Sequence, residues 1–187
     1  MPALDHFGWI APFYDRLASP PDAAFWRAVL RLPTSGRLLD IGGGTGRISS
    51  VVAEDARQVV IADASWKMAR QAVEKPALLA LAAEGEGLPF ASRTFDRVLM
   101  VDALHHVRHQ PQCVAEMLRV LAPAGRIVIV EPDLRLRSIK VLAVIEKLLL
   151  MRSQMRPPET ICALFSGHPV TLSVRSSGSS VVITADA

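Results

Sequence analysis

The chain has 187 residues, of which half are hydrophobic and about a fifth are charged. This length predicts a single domain with a buried core. No uncharged apolar run reaches the length of a membrane-spanning helix, and residues 1–10, which include Asp5 and His6, lack the pattern of a secretory signal peptide. The net charge is +3. Residues 133–156 carry six cations and two anions, a net charge of +4, and the rest of the chain sums to −1. A basic, apolar segment of this kind is typical either of a solvated helix face or of a surface for an anionic substrate or a membrane.

Cysteine and histidine usage argues against disulfides and metals. Cys113 and Cys162 are 49 residues apart and form no CxxC pair, which predicts reduced structural thiols in a cytoplasmic protein. His105, His106 and His109 lie close in sequence. Neighbouring side chains of an extended chain point apart, however, and no carboxylate or cysteine completes a ligand set. We therefore predict no metal site.

Strand and helix patterns alternate along the chain, which favours a parallel sheet with helices on both faces. The predicted strands are 37–40, 58–62, 77–82, 95–101 and 126–130. The predicted helices are 4–17, which prolines interrupt, 22–32, 47–55, a helix capped by Ser65 that runs to about residue 74, 110–121 and the basic helix 136–151.

Two alternating segments, 170–175 and 181–185, flank a serine- and glycine-rich stretch at 176–180 and predict a closing antiparallel hairpin. Added to the five strands, this hairpin gives a doubly wound, mostly parallel sheet of seven strands in an α/β fold. We expect residues 1–33 to form a helical lid segment and residues 34–187 to form the core, within a single domain.

The most informative stretch is the glycine-rich loop that follows the first predicted strand. It reads Asp-x-Gly-x-Gly-x-Gly from Asp40 and lies between a strand and a helix, where open α/β sheets bind ligands. Gly42 and Gly44 fit the first two positions of a dinucleotide-binding loop, but Arg47 occupies the third. No Gly-Lys-Ser/Thr follows, which excludes a P-loop. The loop therefore predicts a nucleotide-like ligand of another type.

A carboxylate supports this interpretation. Asp63 ends the second predicted strand, 21 residues after Gly42. A carboxylate at that place accepts hydrogen bonds from both hydroxyls of a ribose. Together with the glycine-rich loop, Asp63 indicates a ligand that contains adenosine.

Four segments resemble, in order and spacing, the core blocks of class I S-adenosylmethionine-dependent methyltransferases. They are LLDIGGGTGRIS, VVIADASWKM, AEGEGLPFASRTFDRVLMVDALHHV and RVLAPAGRIVIVEPD. The resemblance is strongest to the branch of ubiquinone/menaquinone-biosynthesis and other small-molecule methyltransferases, and it covers residues 5–133, about two thirds of the chain. It implies a sheet of order 3-2-1-4-5-7-6 with strand 7 antiparallel. It also implies S-adenosylmethionine as cofactor, with S-adenosylhomocysteine as its product.

The resemblance also implies cofactor-binding residues. The glycine-rich loop would face the methionine part of the cofactor, Asp63 would bind the ribose hydroxyls, and Trp66 or Met68, next to Ala64, would pack on the adenine. Glu84, where the family more often has aspartate, would meet the adenine amino group, and Gly85 would offer its backbone N–H. The full predicted set is Asp40, Gly42, Gly43, Gly44, Gly46, Asp63, Ala64, Met68, Glu84, Gly85 and Asp102.

Three residues are candidates for catalysis. His105 and His106 follow the fourth strand, near the expected methyl donor, and a histidine titrates near neutral pH, which suits a general base. Tyr14 matches an N-terminal Tyr-Asp of the family and would lie on a helix that closes over the cofactor. Each of the three could instead have only a packing role.

Two other functions compete with methyl transfer. A nicotinamide-dependent dehydrogenase is disfavoured by Arg47 and by the lack of a Tyr-x-x-x-Lys pair, since Tyr14 is the only tyrosine. A catalytically inactive methyltransferase fold that serves as a binding module stays open. We expect a small-molecule acceptor, lipophilic or anionic, no nucleic acid, and peripheral contact with a membrane as an option. The acceptor atom and the oligomeric state stay open.

Overall fold

The computed structural model describes residues 21–136, 139–140 and 153–187. Its centre is a seven-stranded sheet of order β3-β2-β1-β4-β5-β7-β6, in which β7 pairs antiparallel with both of its neighbours and the other pairs are parallel. The strands are β1 Thr34–Ile41, β2 Ala56–Asp63, β3 Leu78–Ala82, β4 Phe95–Val101, β5 Leu121–Pro132, β6 Thr171–Ser177 and β7 Ser180–Asp186. The predicted fold class and strand order are confirmed.

β4 has the predicted bounds and β3 is one residue shorter, whereas β1, β2, β5 and both hairpin strands are longer than predicted, because residues at their ends still take part in backbone pairing. β5 is the extreme case: it includes the predicted turn at 123–125 and starts directly after the helix Gln110–Val120. Its pairing with β4 shifts register between Phe95 and Arg97, which accommodates that turn as an irregularity. The C-terminal hairpin closes through two residues, Gly178 and Ser179, with Gly178 at φ +60°, as tight hairpin turns require.

Four α-helices are described: α1 Ala23–Leu30, α2 Trp66–Ala72, α3 Gln110–Val120 and α4 Pro158–Ala163. Asp22 caps α1 by accepting from the N–H groups of Ala24 and Phe25. Ser65 occupies the cap position of α2 as predicted, but its side chain makes no capping hydrogen bond. α4 was not predicted.

The helix predicted at 47–55 is instead a 3₁₀ helix over Ser49–Asp55. Two serine hydroxyls compete with regular helical bonding at its start. The hydroxyl of Ser49 donates to the carboxylate of Asp40, and that of Ser50 donates to the carbonyl of Arg47. Two valines follow, whose helix propensity is low.

Each face of the sheet buries its own apolar core. On one face, Trp26 and Leu30 of α1 pack with residues of the 3₁₀ helix and of β1, β2, β5 and β7. On the other face, Val114 and Met117 of α3 pack with Ile161 of α4 and with the alternate residues of the same strands. Because both faces are covered, the central strands are apolar almost without interruption.

Charged residues join α1 to the amino-terminal edge of the sheet, the edge at which β1 to β5 begin. Arg126 of β5 binds both carboxylate oxygens of Asp186 at 2.7 Å and donates to the carbonyl of Val29. Arg97 of β4 donates to the carbonyls of Leu30 and Arg31. Both guanidinium groups therefore bind the last turn of α1 to the sheet.

Some predictions fall outside the described residues. These are the helix at 4–17 with Tyr14 and nearly all of the basic helix at 136–151. Within the described ranges, no helix is long and apolar enough to cross a membrane. In the same ranges, no three His, Cys, Asp or Glu side chains lie where they would share a metal ion.

Candidate active site

The candidate site lies where the strand order reverses, between β1 and β4, at the carboxyl ends of the parallel strands. The glycine-rich loop starts here: Gly42, Gly44 and Gly46 all have positive φ, of 69°, 58° and 75°. A Cβ on Gly42 would lie 2.5 Å from the Cβ of Ala103 in the loop after β4. Glycine thus lets the two loops meet, whereas a Cβ on Gly44 would have no atom of the described residues within 4 Å.

Asp40 lies beneath this loop with its carboxylate buried, only 2% of the residue being exposed. The Ser49 hydroxyl donates to it at 2.6 Å, and a Cβ on Gly43 would lie equally close to it, at 2.6 Å. Burial raises the pKa of the Asp40 carboxyl from 3.8 to about 7, with the nearby charge of Asp63 adding to the rise and the Ser49 hydroxyl opposing it. Asp40 is therefore a carboxylate whose ionised form gains from a cation.

Asp63 ends β2 beside the same loop. Its Oδ2 accepts from the backbone N–H of Gly44 and its Oδ1 from that of Ser65, both at 2.8 Å. The carboxylate thus lies between the glycine-rich loop and the start of α2, partly exposed. A carboxylate oxygen can accept more than one hydrogen bond.

The residues predicted to surround an adenine differ in exposure. Met68 is buried in the core, while Trp66 is 59% exposed with the Arg70 guanidinium 5.5 Å from its ring centroid. Ala64 is exposed as well. After β3, Glu84 is exposed, and a Cβ on Gly85 would lie 2.8 Å from Sγ of Cys113. The chain at Gly85 therefore follows the core surface with no room for a side chain.

Helix α3 fixes the loop between β3 and β4 that contains Glu84 and Gly85. Glu116 accepts from the N–H of Leu88 at 2.8 Å, and Arg119 donates to the carbonyls of Leu88 and Phe90. Glu86 in turn accepts from the N–H groups of Arg108 and His109, both at 3.1 Å. The loop and the start of α3 thus stabilise each other.

The loop after β4 surrounds a buried carboxylate from β5. Oε1 of Glu131 accepts from the backbone N–H groups of Ala103 and Leu104, at 3.1 and 2.8 Å. Oε2 lies 2.5 Å from Nδ1 of His105, and the two side chains are only 4% and 3% exposed. Asp102 begins this loop with φ +50° and is exposed.

We expected the side chains of His105 and His106 to point apart, as in an extended chain, but they do not. Leu104–His106 is a short 3₁₀ helix, so the two rings lie side by side with centroids 4.0 Å apart and an interplanar angle of 49°. The His105 carbonyl accepts from the N–H of Gln154 at 2.7 Å, and Gln110 donates to the Gln154 carbonyl. The segment that follows residue 152 thus packs against this loop.

A cleft of about 280 Å³ opens beside the glycine-rich loop. Phe25 and Trp26 of α1 form one wall, with ring centroids 5.0 Å apart. Arg47, Asp102 and the hairpin serines Ser177 and Ser180 contribute polar groups. Part of the predicted lid segment, α1, and the C-terminal hairpin therefore border one space at the carboxyl edge.

Sequence reasoning missed Glu131 and Ser49. Glu131 had a signal: it is the one charged residue within the run IVIVEP, which otherwise reads as a buried strand. A buried carboxylate in such a strand requires donors. Ser49 had no such signal, because its role depends on the position of Asp40.

Comparison with known proteins agrees with this geometry. Residues 39–129 match the family described as "Methyltransferase domain". The demethylmenaquinone methyltransferase of Renibacterium salmoninarum is 34% identical over 134 residues, which cover 67% of this chain and 56% of the relative. The ubiquinone/menaquinone biosynthesis C-methyltransferase UbiE of Syntrophotalea carbinolica is 37% identical over 139 residues, or 67% and 59%.

The fold comparison points the same way. A crystal structure of a SAM-dependent methyltransferase from Aquifex aeolicus superimposes with a TM-score of 0.72 and 16% identity, over 94% of this chain and 97% of that one. Residues 39–129 of this chain thus form a methyltransferase domain. The chain spans a little over half the length of the two curated relatives described above.

The described residues fit the cofactor that this family uses. S-adenosylmethionine offers an ammonium group and a sulfonium, two ribose hydroxyls and an adenine. The buried carboxylate of Asp40 suits a cation, and the carboxylate of Asp63 suits a diol. Among the described residues, none lies within 4 Å of a Cβ on Gly44, which leaves room for a ligand beside the loop backbone.

Proposed function

We propose that this chain transfers a methyl group from S-adenosylmethionine to a small, lipophilic or anionic acceptor, most specifically a reduced quinone methylated on a ring carbon. The observation that carries this proposal is the pair of carboxylates, Asp40 and Asp63, that border the glycine-rich loop at the β1–β4 switch point. The names of the two curated relatives support the choice of a quinone acceptor.

In this proposal Asp40 and the loop glycines Gly42, Gly43, Gly44 and Gly46 receive the methionine part of the cofactor. Asp63 binds the ribose hydroxyls. Ala64, Met68, Glu84 and Gly85 surround the adenine, with the exposed Trp66 beside them, and Asp102 lies along the methionine. The cofactor supplies an activated methyl group, so the chain's own task is to orient the acceptor and exclude water.

The cleft between α1 and the hairpin is the proposed acceptor site. Its aromatic wall of Phe25 and Trp26 suits a flat ring, and Arg47 with Ser177 and Ser180 suits the oxygens of that ring. Residues 1–33 act as a lid in this view, and Tyr14 with His105 or His106 would supply contacts or a base. A cytoplasmic location stays a prediction.

Calorimetry with S-adenosylhomocysteine tests the cofactor site. Asp63→Ala removes a charged acceptor whose hydrogen bonds are each worth about 1.5–3 kcal/mol, so we expect its Kd to rise at least about tenfold. Asp55→Ala is the matched control, because Asp55 precedes β2 at the opposite end of the same strand and pairs with Arg27 at the surface. Equal affinity of the two variants, or no binding by the folded wild type, would overturn the cofactor assignment.

A reduced demethylmenaquinone analogue tests the acceptor. The hydroquinone ring carbon is nucleophilic and the oxidised ring carbon is not, so we expect methylated product only from the reduced form, detected by mass spectrometry. Phe25→Ala should raise the acceptor KM several-fold while the Kd for S-adenosylhomocysteine stays within about twofold. Cofactor binding with no turnover of reduced quinones or other small acceptors would favour the inactive binding module.

A further inference from the structure

The hydroxyl of Ser49 is buried just after the glycine-rich loop and binds one carboxylate. Ser49 is 0% exposed, and its Oγ donates to Oδ2 of Asp40 at 2.6 Å. A turn of a 3₁₀ helix contains three residues, so Ser49 and Val52 lie on the same side of the helix Ser49–Asp55. Because Val52 is also fully buried, in the core of this face of the sheet, the packing of the helix fixes the direction of the hydroxyl.

The charge of Asp40 depends on this hydroxyl. Within the described part of the chain, Ser49 is the one hydrogen-bond donor to the Asp40 side chain. The pKa of Asp40 is raised to about 7 by burial and by the charge of Asp63 on β2, and the hydrogen bond from Ser49 opposes both. Further charged side chains on the surrounding elements are Lys75, which donates to a carbonyl of the glycine-rich loop, and Arg47 and Asp102, which border the cleft. At neutral pH the carboxyl is close to its midpoint, so one hydrogen bond changes how much of it is ionised.

The pair lies directly beneath the loop at which the cofactor is proposed to bind. A Cβ on Gly43 would lie 2.6 Å from the carboxylate of Asp40, so the loop backbone passes over that group. The amino acid part of S-adenosylmethionine carries an ammonium group. A buried negative charge acts strongly on a nearby cation, because little water screens it. A neutral Asp40 would lack this attraction.

We propose that Ser49 is a positioning residue for the cofactor, whose hydroxyl keeps the Asp40 carboxylate ionised and fixed beneath the glycine-rich loop so that the cofactor's ammonium group binds tightly at neutral pH. This inference rests on the proposed function, which places the methionine part of S-adenosylmethionine against that loop. Ser49 acts through Asp40 and touches no part of the ligand itself.

Carbon-13 NMR of the side-chain carboxyl of Asp40 in the ligand-free protein gives the first readout, with the signal assigned by its loss in Asp40→Asn. Ser49→Ala removes a hydrogen bond to a charged group, so we expect the pKa of Asp40 to rise from about 7 by about 1–2 pH units. Ser50→Ala is the matched control, since Ser50 is the next residue of the same helix and its hydroxyl donates to the carbonyl of Arg47. Ser50→Ala, and Ser49→Thr, which keeps the hydroxyl, should both titrate like the wild type.

Calorimetry with S-adenosylhomocysteine gives the second readout. We expect Ser49→Ala to raise the Kd by about 10- to 100-fold near pH 6 and by no more than about twofold near pH 9, where Asp40 is ionised in both proteins. Titration of the ligand itself cancels in this ratio. 5′-Methylthioadenosine, which lacks the amino acid part, should bind both proteins with equal affinity. A purely structural role of Ser49 would instead weaken both ligands at every pH.

The inference fails if Ser49→Ala leaves the titration midpoint of Asp40 unchanged, or if the Kd ratio for S-adenosylhomocysteine does not vary with pH. It also fails if Ser49→Ala has the same pH-dependent effect in the Asp40→Asn background. Failure of the proposed function is a separate result, namely no binding of S-adenosylhomocysteine by the folded wild type, and the NMR titration is obtained in either case. Far-ultraviolet circular dichroism verifies folding. If Ser49→Ala is unfolded, Ser49→Cys, which keeps a weaker donor, replaces it and should raise the same midpoint by a smaller amount.

Discussion

The two edges of the parallel sheet use charged residues in opposite ways. At the amino-terminal edge, Arg126 pairs with Asp186 and Arg97 binds the last carbonyls of α1. At the carboxyl edge, Asp40 and Glu131 are buried; they accept hydrogen bonds from a hydroxyl and from backbone N–H groups, and Glu131 also lies beside the imidazole of His105. The first arrangement neutralises charge, whereas the second buries carboxyl groups where a cationic ligand is proposed to bind.

The difference separates stability from function within one sheet. The pKa of Asp186 is lowered, chiefly by hydrogen bonds from Arg126, so its ionised form stabilises the fold. The pKa of Asp40 is raised to about 7, chiefly by burial, so its ionised form destabilises the fold. Neutralising Asp40 is therefore expected to improve stability, at the expense of binding.

The largest loss of stability should come from Asp186→Ala. The change leaves the guanidinium of Arg126, which is only 7% exposed, without its carboxylate. Because Asp186 itself is 28% exposed, we expect a loss of about 1.5–3 kcal/mol, as for a hydrogen bond to a charged group, and urea denaturation measures it. The Kd for S-adenosylhomocysteine should stay within about twofold, and a stability loss below about 1 kcal/mol would contradict the assigned role of this edge.

Asp40→Asn should raise the free energy of unfolding, whereas Asp186→Ala lowers it. The folded carboxyl has a pKa of about 7 against 3.8 when unfolded, so the folded state binds more protons between these values. The free energy of unfolding of the wild type therefore falls by at most roughly 4 kcal/mol as the pH rises from about 4 to about 7. Above that range it stays level.

The asparagine variant lacks this titration. We expect it to be more stable than the wild type by roughly 2–4 kcal/mol at about pH 8, with the difference shrinking towards about pH 4. Urea denaturation at several pH values measures this, and calorimetry should show much weaker binding of S-adenosylhomocysteine. A variant less stable than the wild type at about pH 8 would show that Asp40 serves the fold rather than the ligand.

The smallest effect should come from Arg27→Ala. Arg27 pairs with Asp55 at 2.7 Å, but its side chain is 48% exposed. Exposed pairs contribute about 0–1 kcal/mol, so urea denaturation should show a change below about 1 kcal/mol. A loss comparable with that of Asp186→Ala would mean that burial does not explain the strength of the amino-terminal edge.

Much of the fold was predictable because its signals are local. Alternating patterns predicted all seven strands, and the glycine-rich loop with Asp63 predicted the binding edge. Boundaries were less predictable: β5 absorbs a proline- and glycine-containing turn, and the helix expected at 47–55 is a 3₁₀ helix. In both places bonds to distant residues overrule local preference.

The site was predictable only in part, because its side chains meet across the sheet. Glu131 and His105 are 26 residues apart in sequence, and the bond between them depends on the adjacent pairing of β4 and β5. The predicted orientation of the His105 and His106 side chains was wrong for a similar reason, since the loop bends into a 3₁₀ turn around Glu131. Spacing alone reveals no such bend.

The two-residue turn of the C-terminal hairpin offers a route to engineering. Its flanking residues Ser177 and Ser180 border the cleft, and a Cβ on Gly178 would meet nothing. The strands on either side pair up to Ser177 and Ser180, and β7 also pairs with β5, so the turn is not the only support of their register. Longer loops grafted between these two serines would reach across the cleft while the sheet stays intact, which makes this turn the natural position for libraries that change acceptor selectivity.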